Sequence, residues 1–209
     1  MRKGDAMTID ELPPLVARAN ALARGMGFPL TRQEAAPGGA SACLPGVGLF
    51  LAVLAAGCRG GTIAEAGTGV GVGAAWMASA MPADCTLVTV ESDERLATAA
   101  AALLAADGRV EVVHGDAWAA LPARGPFDLL FADGGTREQV SSGGLVDLVA
   151  VGGRLVADDV TPVRALPPDS PLRVTDAKRQ LFSADPRLVS AEVVLPDLQN
   201  SLLVGTRIG

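Results

Sequence analysis

The segment Glu65-Ala66-Gly67-Thr68-Gly69-Val70-Gly71-Val72-Gly73 sets an acid in front of four alternating glycines. Glycines at this spacing let the main chain turn sharply and let a ligand approach the backbone closely. A second acid, Glu91, stands about twenty residues on, at the end of an apolar run and followed by Ser92. A carboxylate in that position can accept both hydroxyls of a ribose. The turn and Glu91 together point to a nucleoside-containing cofactor.

Two cofactors compete for such a turn, because Gly69-Val70-Gly71-Val72-Gly73-Ala74 also satisfies the dinucleotide pattern G-x-G-x-x-A. Glu65 separates them. An acid ahead of the first glycine, at the end of an apolar strand, suits a cofactor carrying an ammonium group and a sulfonium better than one carrying a pyrophosphate. Its other reading is a strand-end carboxylate that caps the loop. Further on, in Gly115-Asp116-Ala117-Trp118, a carboxylate can accept from an adenine amino group while an indole packs beside the ring. Asp116 would otherwise be a helix N-cap, with Trp118 in the core. His114 reads as a hydrogen-bonded strand end rather than a base.

Absences narrow the chemistry further. The chain has no tyrosine, its one histidine is His114, and its lysines are Lys3 and Lys178. A Ser-His-Asp triad, a His-rich metal site or a tyrosine base therefore has almost no material. Seventeen basic against 23 acidic residues give a net charge of −6, which offers no general attraction to nucleic acid or an anionic membrane and favours a small-molecule substrate. Cys43, Cys58 and Cys85 are odd in number and lack a C-x-x-C pairing, consistent with a reducing cytoplasm rather than a disulfide framework or structural zinc. The most apolar stretch, Gly46 to Cys58, is too short to span a bilayer, and no apolar run follows Arg2 and Lys3.

The elements that must position these residues follow from periodicity. The 209 residues, 49% of them hydrophobic, suit one α/β domain spanning 1–209, with a helical N-terminal extension over 1–60 and a cofactor-binding core over 61–209. Strands are expected at Thr62 to Ala66, Thr86 to Glu91, Val110 to His114, Phe127 to Ala132 and Arg154 to Ala157, with helices at Ala74 to Met81, Glu94 to Ala106, Glu138 to Ala150 and Ala177 to Ala184. This alternation predicts a doubly wound, Rossmann-like parallel sheet. Leu188 to Leu195 and Ser201 to Ile208, separated by a turn at Pro196-Asp197-Leu198-Gln199-Asn200, add an antiparallel hairpin. Two earlier helices, Glu11 to Arg24 and Gly46 to Ala56, are placed to cap the sheet or to form a homodimer contact.

With these elements in order, the chain resembles the class I S-adenosylmethionine-dependent methyltransferases, and within them the bacterial and catechol-type O-methyltransferases. The resemblance spans about Ser41 to Gly209 and rests on five motifs: Ile63-Ala64-Glu65-Ala66-Gly67-Thr68-Gly69, Val90-Glu91-Ser92-Asp93, His114-Gly115-Asp116-Ala117, Phe127-Asp128-Leu129-Leu130-Phe131-Ala132-Asp133 and Gly152-Gly153-Arg154-Leu155-Val156-Ala157-Asp158-Asp159. It implies that Gly67, Gly69 and Gly71 shape the methionine end of the site, that Glu91 takes the ribose, and that Asp116, Ala117 and Trp118 border adenine. The terminal hairpin is the family's departure from an all-parallel dinucleotide-binding sheet.

The resemblance also implies a cation. Asp133 ends the fourth strand and Asp158 with Asp159 the fifth; neighbouring strands lie about 4.8 Å apart, so the three carboxylates can converge. Catechol-type enzymes hold a divalent metal at the matching positions, usually with Asp, Asp and Asn, and here Asp159 replaces the amide. Three carboxylates in one cleft repel unless a cation or proton neutralises them, so Mg²⁺ or Ca²⁺ is the expected occupant, against helix capping or a shared proton. Thr136 stands where these enzymes usually carry a lysine base, after Gly134-Gly135; the catalytic residue is left unassigned, with Asp133 as the best candidate. The reading is an enzyme, an O-methyltransferase acting on a small hydroxylated acceptor with metal assistance; the alternatives are a nicotinamide-dependent oxidoreductase and a non-catalytic S-adenosylmethionine-binding protein.

Overall fold

The computed structural model describes residues 12–31, 33–35, 40–133, 144–195 and 201–209. At its centre is a seven-stranded sheet in the order β3-β2-β1-β4-β5-β7-β6. Strands β1 (Thr62–Ala66), β2 (Thr86–Glu91), β3 (Val110–His114), β4 (Phe127–Ala132) and β5 (Val149–Val160) run parallel, while β7 (Ser201–Arg207) pairs antiparallel with both β5 and β6 (Leu188–Val193). The expected mixed, doubly wound sheet with its terminal hairpin is therefore the observed one. The chain reverses direction across the sheet between β1 and β4, and in such sheets ligands bind outside the carboxyl ends of the strands at that switch point.

Alternation along the strands sends side chains to two cores. Ile63, Leu87, Leu129, Phe131 and Val156 pack on one face against α2 (Pro45–Ala56), α3 (Val72–Ala80) and α4 (Glu94–Leu104). Ala64, Val88, Leu130, Leu155 and Ala157 face the other way, toward α5 (Ala117–Ala120), α6 (Gly144–Asp147) and the helix Ala177–Ala184 (α8), of which α6 and α8 supply buried residues to that core; the short, unburied α7 (Leu172–Thr175) lies beside α8. Burial on both faces explains why these strands read as near-continuous apolar runs. Helix α1 (Pro14–Gly25) lies outside α3, joining Val16, Ala19 and Ala23 to Val72, Ala75 and Trp76 in a third cluster. Among the described residues no helix is long and apolar enough to cross a membrane.

Caps set several helix starts. Asp93 accepts from Leu96 N at 3.0 Å to open α4, and Asp176 accepts from Arg179 N at 2.9 Å to open α8. Each such cap is worth about 1 kcal/mol.

One element differs from expectation. A helix over Glu138 to Ala150 is not what forms: α6 ends at Asp147 and β5 begins at Val149, well ahead of Arg154. Leu-Val-Ala runs satisfy helix and strand patterns alike, and Phe127 settles the matter by pairing with Val149. Residues 138–143 of that expected helix, Thr136, and the turn over 196–200 lie outside the described residues.

Candidate cofactor site

The loop from β1 to α3 makes three left-handed turns, at Gly67 (φ +96°), Gly69 (φ +54°) and Gly71 (φ +90°), a conformation that side-chain-bearing residues rarely adopt. Gly73, in the first turn of α3, is glycine for a different reason: a Cβ there would lie 2.2 Å from Glu65 Oε1. The helix can approach the carboxylate only because this position is bare.

Glu65 itself is almost wholly buried, on the α3 face of the sheet. Its Oε2 accepts from the Thr89 hydroxyl at 2.6 Å, across the β1–β2 pairing. Burial pushes its carboxyl up to about 8; donation from Thr89 opposes the rise, and the charges of Asp133 and Glu91 add to it. The acid is thus held close to neutrality, where an arriving cation would ionise it.

Glu91 ends β2 beside the same turn. Its Oε2 accepts from Gly69 N at 2.7 Å and its Oε1 from Asp93 N at 2.9 Å, with Ser92 Oγ at 3.4 Å. Two backbone donors fix the carboxylate, and the lone pairs left over can meet further hydroxyls.

A cleft open to solvent lies over the turn, lined by Glu65, Gly67, Thr68, Gly69, Gly73 and Asp133 together with Phe28 and Ser41 to Cys43. Of the expected residues, Glu65, Gly67, Gly69, Gly73 and Asp133 meet in this cleft; Gly71 caps α3 just behind it, and Glu91 joins it through Gly69. Asp116 is the N-cap of α5 and accepts from Trp118 N at 2.9 Å, while Ala117 and Trp118 pack half-buried against the core. His114 is exposed, its Nε2 3.3 Å from Ser92 O.

The metal trio does not assemble as expected. Asp133 follows Ala132, which pairs with Ala157, so Asp133 and Asp158 do begin side by side. Beyond Ala157 the pairing of β5 with β7 shifts register, and Asp159 takes φ +60°. Asp158 is buried with its Oδ1 accepting from Asp159 N at 2.6 Å, and Asp159 is exposed. Among the described residues no three His, Cys, Asp or Glu side chains are grouped to hold a metal ion. A local bulge, which strand spacing cannot reveal, separates Asp158 from Asp159.

Several residues in and behind the cleft went unassigned. Thr68 stood inside the glycine-turn motif without a role, while Thr89, behind the cleft, and Cys43 belong to no spacing pattern, though a threonine inside an apolar strand opposite an acid was a signal for Thr89. Burial raises the Cys43 thiol well above its ordinary value, and the carboxylates of Asp133, Asp158 and Glu65 add to the rise. Lys178 also went unread: its Nζ donates to the Asp158 carbonyl at 2.5 Å.

Comparison with known proteins decides the family. Residues 64–160 match the model of a methyltransferase domain. A Mycobacterium tuberculosis protein provisionally named an O-methyltransferase is 32% identical over 184 residues, covering 79% of each chain. The chain belongs to the S-adenosylmethionine-dependent O-methyltransferase family. Other members include a catechol O-methyltransferase of Niastella koreensis, 36% identical over 97 residues and covering 43% of this chain and 44% of that one. In fold, the methyltransferase is similar to cofactor-bound Rv0187 from MTB (TM-score 0.70, 26% identity, 95% of this chain and 92% of that one). It is similar again to TomG of Streptomyces achromogenes, an O-methyltransferase involved in tomaymycin synthesis and solved in complex with SAM (TM-score 0.71, 24% identity, the same coverage).

Proposed function

We propose that this chain binds S-adenosylmethionine with its amino-acid end in the cleft over the glycine turn and its ribose on Glu91, and methylates an oxygen of a small hydroxylated acceptor. The observation that carries the reading is the buried Glu65 carboxylate set against a bare helix start, with Glu91 tied to Gly69 on the other side of the turn. An ammonium fits the first and a ribose diol the second.

When bound, the cofactor supplies an electrophilic methyl and its own leaving group, so the chain's task is alignment and exclusion of water. Glu65 would hold the ammonium, the N–H groups and bare Cα atoms of the turn would admit the methionine chain, and Phe28 with Ser41 to Cys43 would roof the cleft. The acceptor hydroxyl would have to lose its proton as its oxygen takes the methyl. Asp133, on the cleft wall at the end of β4, is placed to receive the hydroxyl proton.

The test is calorimetric titration with S-adenosylmethionine, S-adenosylhomocysteine and NAD⁺, with and without Mg²⁺, followed by transfer of a labelled methyl to a panel of hydroxylated acceptors. Binding of the first two ligands but not NAD⁺, with label moving to oxygen, is the expected result. NAD⁺ binding would favour the oxidoreductase, and tight S-adenosylmethionine binding without transfer to any acceptor a non-catalytic binder.

A further inference from the structure

A buried hydrogen-bond chain runs behind the glycine turn. Thr68 Oγ1 lies 2.5 Å from Thr89 Oγ1, which donates to Glu65 Oε2 at 2.6 Å. All three side chains are at least 96% buried. A hydroxyl has one proton to give, and Thr89 gives its own to Glu65. The contact between the threonines must then be donated by Thr68. With Glu65 ionised, the chain is polarised from Thr68 through Thr89 to Glu65, and Thr68 lines the cleft. A proton on Glu65 Oε2 would reverse the order and leave Thr68 presenting a donor instead.

Resting on the reading that the cleft takes the amino-acid end of S-adenosylmethionine, we propose that Thr89 and Thr68 are positioning residues which orient Glu65 and favour its ionised form when a cation arrives, and so make the cleft selective for an ammonium group. The surroundings make such a device necessary. Glu91 at the end of β2 and Asp133 at the end of β4 bring like charge toward Glu65, Cys43 faces the cleft from the segment before α2, and α3 carries no titratable side chain. Burial and both acids favour the protonated carboxyl, and the Thr89 hydroxyl is the neighbour that favours the ionised one.

The test compares S-adenosylhomocysteine with 5′-methylthioadenosine, which keeps the nucleoside and lacks the ammonium, by calorimetry across the range from pH 6 through the shifted midpoint, on the wild-type chain, Thr89→Val, Thr89→Ser and Thr68→Val. Thr89→Val is expected to weaken S-adenosylhomocysteine about tenfold at pH 7 and to move the pH midpoint of its binding up by about one unit. Thr89→Ser should restore both, and 5′-methylthioadenosine should bind all four proteins alike. A Thr89→Val profile superimposed on the wild type, or an equal loss for both ligands, overturns the proposal. Should Thr89→Val fail to fold, Thr68→Val must show a smaller shift of the same sign, and an unshifted profile there overturns it equally. Failure of the wild-type chain to bind S-adenosylhomocysteine at any pH would instead refute the cofactor reading beneath it.

Discussion

Glu91 Oε2 accepts the backbone N–H of Gly69 at 2.7 Å, so the carboxylate assigned to the ribose also holds the glycine turn in place. Its other oxygen takes the N–H of Asp93, whose own side chain caps α4. One residue thereby links the turn, the end of β2 and the next helix.

Glu91→Ala is therefore expected to weaken S-adenosylhomocysteine at least about tenfold, since a charged acceptor shared by two hydroxyls is worth roughly 1.5–3 kcal/mol. It should also loosen the turn. Calorimetry checks the affinity, and an unchanged value would remove Glu91 from the site.

Glu65 makes a prediction with a definite sign. Its carboxyl is pushed up to about 8 from an ordinary 4.5, burial being the main cause. Between those values the folded chain holds a proton that the unfolded chain has released. Stability from this group is complete below about 4.5 and falls as pH rises through about 8. Glu65→Gln abolishes the ionisation, so the ligand-free variant should gain on the wild type as pH rises from 5 to 8, by on the order of a few kcal/mol. It should lose cofactor affinity at the same time. Denaturant midpoints at pH 5 and pH 8 provide the check; parallel curves for the two proteins would contradict it.

Gly69 takes φ +54°, and a Cβ there would meet nothing within 4 Å, since it would project into open space. Gly69→Val should leave a folded, somewhat destabilised chain, with strain of about 1–3 kcal/mol, that no longer binds S-adenosylhomocysteine. Circular dichroism with calorimetry separates the two effects. Retained affinity would mean that the turn is only structural.

Much of this site was legible because its signals are local. Strands β1 to β4 have the bounds that their apolar runs predict, each ending at Gly, Asp or Ser, and the Glu65 to Gly73 turn follows directly from glycine spacing. Asp116 was open between adenine contact and helix cap, and the cap to Trp118 N is present. What escaped depends on register. Thr89 meets Glu65 only because β1 and β2 pair residue for residue, and Asp158 parts from Asp159 because β5 shifts its pairing with β7 after Ala157. The 138–150 misreading has the same origin, since only the partner strand distinguishes a Val-Ala-Val strand start from a helix end.

The hairpin carries a prediction about stability. Glu192 on β6 accepts from Arg179 Nη1 at 2.9 Å, from Val163 N at 3.1 Å and from the Ser201 hydroxyl, joining α8 and the segment after β5 to the sheet. Burial raises its carboxyl, but these donors outweigh burial and hold it below the ordinary range. The stability it contributes is present above the unfolded value and is lost as pH falls through the folded one. Arg179→Ala leaves a mostly buried carboxylate without its charge partner and should cost about 1–3 kcal/mol, the deficit shrinking in acid. Thermal denaturation at pH 7 and pH 4 measures it; equal deficits at both would contradict the sign.

A crystal structure of the chain with S-adenosylhomocysteine tests the central claim most directly. The ribose hydroxyls are expected within hydrogen-bond distance of the Glu91 carboxylate, and the amino group against Glu65 and the Thr68 hydroxyl. Ligand density away from the turn between β1 and α3, or a ribose that leaves Glu91 untouched while the amino-acid end points out of the cleft, would contradict it.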